Sequence, residues 1–180
     1  NNCIRQTSNS AIVSGIRNTA SNATQMFIGG GVCNTIAYGS CSAIVIGSNN
    51  YIGQSNTTIA GGSSNSSSAA CGFVGGGFRN NIEESVVGSS MKHNVIGGGV
   101  LNLLKNSCFS FMGSGCANTI SGGSGTAIVA GYNNTACPSA GRSMIGSGIN
   151  NTIEVNGCCA FIGAGFGNCI TAAYGGILAG

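Results

Sequence analysis

Apolar residues recur along this chain in two interleaved columns, each repeating at intervals that are mostly 15 to 17 residues. The first column runs Ile12, Ile28, Ile44, Ile59, Val74, Ile96, Met112, Ile128, Ile145, Ile162 and Ile177. The second follows eight residues behind it as Ala20, Ile36, Ile52, Ile82, Leu104, Ile120, Ala136, Ile153 and Ile170. Gly, Asn and Ser fill the spaces between, and these residues favour turns because they tolerate positive φ or bond their own backbone. A fixed period of this size marks a solenoid, whose single coil cannot bury its apolar face alone. The pattern predicts an all-β, parallel β-solenoid with two short strands in each coil. Stacked at about 4.8 Å per coil, roughly eleven coils would span on the order of 50 Å.

A polar column keeps the same step: Asn18, Asn34, Asn50, Asn65, Asn80, Asn102, Asn118, Asn134, Asn151 and Asn168. Stacked identical amides can hydrogen-bond along the axis as a ladder, and Asn also fits a left-handed turn. Both roles are structural.

Residues flanking the first column should point away from the coil interior. Here a large first residue is followed by Gly, as in Phe27/Gly29, Phe73/Gly75, Phe111/Gly113, Met144/Gly146 and Phe161/Gly163. A small first residue is usually followed by Val, Ala or Leu, as in Ala43/Val45 and Ala127/Val129. Conserved combined volume is a property of packed cores, and an exposed stripe of this kind is a liability in a monomer. The expectation is a homotrimer with Phe27, Phe73, Phe111, Met144 and Phe161 at the interface.

Stretches such as Phe27-Ile28-Gly29-Gly30-Gly31, Ser42-Ala43-Ile44-Val45-Ile46-Gly47 and Phe161-Ile162-Gly163-Ala164-Gly165 resemble the head repeats of trimeric autotransporter adhesins. They are similar also to the Ile-Gly-rich repeats of virus and phage tail fibres. The resemblance covers Ala11 to Gly180 and implies a homotrimer of left-handed parallel β-rolls, used as an adhesive head or fibre shaft. It further implies an extracellular or virion-surface location and a host-cell receptor or glycan as partner. The coils here are longer than the family's commonest unit of about fourteen residues. Ten cysteines are unusual for a bacterial adhesin and tilt the reading towards a viral or phage fibre.

Composition narrows the chemistry. With 33 glycines, 1 proline and 5% charged residues, the chain is neither collagen-like nor a charged disordered tail. No apolar run approaches the roughly 18 residues of a membrane-spanning helix, and a net charge of +3 from scattered residues makes no basic face for nucleic acid. One histidine and three glutamates give no nucleophile–base–orienter set, so no enzyme, cofactor or metal is expected. The Gly-Gly-Gly stretches lack the Gly-Lys-Ser/Thr of a phosphate loop. The cysteines show no Cys-x-x-Cys pair; they are read as small buried hydrophobes, or, for Cys41, Cys71 and Cys159, as inter-chain disulfides near the trimer interface. Glycosylation-type motifs at Asn22, Asn56, Asn65, Asn133 and Asn150 arise easily in so Asn- and Thr-rich a repeat. Thr19, Thr35, Thr119, Thr135 and Thr152 share one column, which makes an ice-binding solenoid the alternative function, although Tyr51, Ser66, Asn81, Leu103 and Cys169 interrupt it.

One interval, from Val74 to Ile96, swells to 22 residues. An irregular coil or loop is expected at 82–95, either a tolerated bulge, a short extra coil on Val86 and Val87, or a contact loop presenting Glu83, Glu84, Lys92 and His93. The chain opens at Asn1 without methionine and closes just after another unit begins at Ile177. Residues 1–180 are therefore expected to be one solenoid segment of a longer fibrous protein, able to associate laterally or end to end.

Overall fold

The computed structural model describes residues 1–84 and 92–180. Among them every regular element is a short β-strand, and the strands form two eleven-stranded parallel sheets that alternate along the chain, giving about ten turns of solenoid. One sheet carries the strands from Ala11–Ile12 to Gly176–Ile177, and the other those from Cys3–Arg5 to Cys169–Ile170. Among the described residues no helix is long and apolar enough to cross a membrane.

Register follows the sequence period coil by coil. Ile28 pairs with Ile44, and Ile36 with Ile52. Successive side chains of a strand point to opposite faces, so one residue per short strand turns inward. Both apolar columns are inside: Ile28, Ile44, Ile96, Ile120 and Ile153 have no exposed surface. Ile12 and Ile177, at the two ends of their sheet, are only partly covered. One coil breaks the apolar rule, since Ser67 occupies the second column there, fully buried, and its hydroxyl donates to the Ala69 carbonyl at 3.4 Å.

The wide interval leaves the stack intact. Phe73 pairs directly with Val95 and Asn81 with Leu103, so the strands on both sides keep their neighbours. Residues 85–91 lie outside the described residues, and with them the extra coil considered on Val86 and Val87.

Tight corners connect the strands, and glycine is required at one of them. Gly115 has φ +103°, and a Cβ there would collide with the Gly131 carbonyl oxygen of the next coil. Another left-handed corner lies just before the Asn column, at Arg17, Cys33, Asn49, Arg79, Leu101 and Ala117. The turn role considered for the column asparagines therefore belongs to their predecessors. The asparagines themselves are buried and serve as the ladder.

Candidate functional site

The nine charged residues are sorted by face. Arg5, Glu83, Lys105 and Glu154 flank the strands of the second sheet, while Arg17, Arg79, Glu84, Lys92 and Arg142 sit at corners. From the residue before each first-column position to the fourth after it, no coil carries a charge. This strip covers the outer surface of the first sheet and its adjoining corner. It exposes Phe27, Phe73, Phe111, Met144 and Phe161, 38–44% accessible, and beside them Ile16, Val32, Phe78, Val100, Tyr132, Ile149 and Phe166. The solenoid is thus amphipathic across its width, with a mainly apolar face whose coils carry no charge of their own, interrupted by Ser48, Thr58 and Ser63 and touched at its edge by the Arg79 guanidinium, 4.9 Å from the Phe78 ring.

The large–Gly pairing on that face has a cause inside the single chain. A Cβ at Gly113 would lie 3.4 Å from Cε1 of Phe111, and one at Gly29 3.3 Å from Cε1 of Phe27. Each ring leans along its own strand over the glycine two residues on. In the coils of Phe27, Phe73 and Phe111 the volume compensation read from the sequence thus has a cause within the strand itself. Gly113 is doubly constrained, because its Cβ would also collide with the Val129 carbonyl. Replacing Gly113 with Ala should cost about 1–3 kcal/mol, measured as a thermal shift. Adding Phe111→Ala should restore only part of it, since the backbone collision remains.

The Asn ladder is continuous. Asn34 Oδ1 accepts from the backbone N–H of Asn50 at 3.1 Å and from its Nδ2 at 3.1 Å, while Asn34 Nδ2 donates to Gly30 O at 3.0 Å. The contact repeats coil after coil to Asn168, whose backbone N–H donates to Asn151 Oδ1 at 3.0 Å. The sequence reading missed its first member, Asn2, whose Oδ1 accepts from Asn18 N–H at 3.1 Å.

A second buried polar column was missed altogether. It lies two residues before the first apolar column and includes Ser42, Thr57, Asn94, Ser110, Thr126 and Ser143. Thr57 N–H donates to Ser42 Oγ at 3.1 Å, and Thr57 Oγ1 donates to Ala69 O at 3.1 Å. The available signal was the run Ser-Ala-Ile, Thr-Thr-Ile, Ser-Phe-Met, Thr-Ala-Ile and Ser-Met-Ile, in step with the repeat.

The residues expected in a contact loop are engaged with the stack. Glu83 pairs with Lys105 of the next coil at 3.5 Å, and Glu84 with Lys92 at 3.5 Å. The His93 ring stacks on Phe109 with centroids 5.4 Å apart. Glu84 and Lys92 are the described residues on either side of 85–91, and their side chains are mostly covered.

All ten cysteines are free, and none is buried. The expectation that they fill coil interiors is corrected: inward positions take Ile, Ala, Val, Met, Leu or Ser, and every thiol is on the outside. Cys41, Cys71 and Cys159 occupy a left-handed corner at φ 54–57° beside the first sheet. Partial desolvation raises the Cys137 thiol above its ordinary value, with the Glu154 carboxylate adding to the effect.

The threonine column lies on the outer surface of the second sheet, where Tyr51, Ser66, Asn81 and Leu103 interrupt it and the Glu83–Lys105 pair flanks it two residues on. An open cleft of about 570 Å³ at one end of that sheet is lined by Arg5, Gln6, Thr19, Ser21 and Asn22. Among the described residues no three His, Cys, Asp or Glu side chains converge as metal ligands. The fold defines the chain as a parallel β-solenoid repeat protein. No protein-family model matches it, and no curated protein is similar to it in sequence.

Proposed function

We propose that this solenoid is a segment of a homotrimeric, non-enzymatic fibre, a rigid shaft or head on a virion or cell surface that serves attachment. The mainly apolar face along the whole first sheet carries the reading. Interfaces are depleted of charge at their cores and enriched in aromatic residues and Met. A face about 50 Å long and some 15–20 Å wide offers on the order of 800 Å² per chain, the area typical of a stable complex. Three copies around an axis parallel to the solenoid cover this face; the charged sheet remains in solvent, and the corners with Arg17 and Arg79 form the polar rim of the interface. Rigidity comes from the continuous Asn ladder, which ties each coil to the next, helped in some coils by the second polar column. Attachment to a receptor or glycan falls to the outward residues.

Light scattering on the native chain tests the assembly. The expected mass is about three times the 17.6 kDa of one chain. A stable monomer at micromolar concentration would sink the proposal.

A further inference from the structure

We infer that the trimer is sealed covalently by two inter-chain disulfides in each interface, Cys33 of one chain to Cys41 of the next and Cys108 of one chain to Cys116 of the next. The inference rests on the trimeric reading above and assigns its covalent chemistry.

Bonding within a chain is excluded by spacing. Neighbouring coils are about 4.8 Å apart, so apart from the sequence-adjacent and free Cys158 and Cys159, bridgeable cysteines would have to stack in adjacent coils, and none do. Cys33 stacks between Arg17 and Asn49, and Cys41 between Gln25 and Asn56. Cys116 bridges Val100 and Tyr132, and Cys108 bridges Ser124. The thiols also do not serve packing, because every one is outside the core. Four of them, Cys33, Cys41, Cys71 and Cys159, sit at positive φ between 54° and 58°. A β-carbon there costs roughly 1 kcal/mol relative to glycine, a cost shared by Arg17, Asn49, Gln25 and Asn56 in the same stacks.

Symmetry then selects the pairs. Rotation about an axis parallel to the solenoid preserves height, so each bond must join residues at nearly equal height on the two edges of the buried face. Like-to-like bonds cannot close among three chains, because each thiol makes one bond and one of three would be left over. One edge of the apolar face carries Cys33 and Cys116, and the other carries Cys41, Cys71, Cys108, Cys158 and Cys159. Cys33 and Cys41 are eight residues apart in one coil, as are Cys108 and Cys116. Half a coil is about 2.4 Å of rise, within what a disulfide spanning roughly 4.4–6.8 Å between Cα atoms absorbs. Cys71 faces Ser64 and Arg79 at its height, and Cys159 faces Asn150 and Gly167. Those two, and Cys158, keep their thiols.

The oxidant is a small disulfide such as oxidised glutathione. One protein thiolate attacks it and releases one glutathione thiol, and the partner thiolate attacks the mixed disulfide and releases the second. Two protein thiols thus become one disulfide as one oxidised glutathione becomes two reduced.

The test is to incubate the reduced native chain with oxidised glutathione and run it on a denaturing gel without reductant. A 1:1 mixture of light and ¹⁵N-labelled chains, denatured and then refolded together, marks inter-chain peptides by mass. The expected result is a covalent trimer with mixed-isotope Cys33–Cys41 and Cys108–Cys116 peptides. The C33S/C108S double variant should give only monomers on the gel while light scattering still finds three chains. Wild-type chains that run as monomers on the gel yet scatter as trimers would overturn the disulfides and leave the trimer standing, as would bonds at Cys71 or Cys159 instead. Monomers by both measurements would remove the trimer itself.

Discussion

Replacing Ile120 with Asp should abolish the folded solenoid at ordinary temperature. The Ile120 side chain is fully enclosed, paired in the ladder with Leu104 and Ala136, and the space around it is apolar. A carboxylate there has no cation and no donor, so burying it costs several kcal/mol, comparable with the total stability of many domains. Protonation relieves part of the cost but leaves a buried hydroxyl and carbonyl to satisfy. Thr119, its neighbour in the strand Thr119–Ser121, faces outward, so Thr119→Ser should shift stability by less than about 0.5 kcal/mol. Circular dichroism melts of the two variants compare them directly. Similar shifts would mean that the strand is turned the other way.

The second large effect is expected in the Asn ladder. Asn118 Oδ1 accepts from Asn134 N–H at 3.0 Å and from Asn134 Nδ2 at 3.1 Å; its own Nδ2 donates to Asn102 Oδ1 at 3.2 Å and Gly131 O at 3.0 Å. Asn118→Leu fits the volume but removes every one of these bonds and leaves the Asn134 backbone N–H without its acceptor. An orphaned buried donor costs about 1–3 kcal/mol, and the lost pairs add to it, so roughly 2–4 kcal/mol of destabilisation is expected. Chemical denaturation should show a lower midpoint. Hydrogen exchange should place the fastest new exchange at Asn134 and Thr135, and an unchanged midpoint would show that the ladder contributes little.

The inward columns and the Asn ladder were legible in the sequence because every coil offers the same environment and selection for it repeats. The second polar ladder was not, because its positions accept Ser, Thr, Asn, Met, Gly and Ala, united by burial rather than by chemistry. The left-handed corners were equally opaque: Arg17, Leu101 and Phe109 adopt positive φ, imposed by the stacking of adjacent coils rather than by their own preference. The cysteines were misread because thiols are usually buried, and nothing in a spacing of eight residues tells inside from outside without the corner geometry. Phe111 and Gly113 carried a real signal whose cause was local, a ring leaning over its own strand. The apolar face was visible only in part: the outward strand positions were read from the sequence, whereas Val32, Phe78, Tyr132 and Phe166 joined them once the corner was in place.

The claim that this face is where copies of the chain meet is tested most directly by charging it without disturbing the core. Ala127, the outward partner of Ile128 in the strand Ala127–Ile128, is half-buried on the apolar sheet, and Ser121 lies outward on the other sheet. Native mass measured by light scattering on Ala127→Glu and Ser121→Glu, each confirmed folded by circular dichroism, separates the faces. Three chains are expected for the wild type and for Ser121→Glu, and one chain for Ala127→Glu. Three chains for all of them, or dissociation by Ser121→Glu instead, would contradict it.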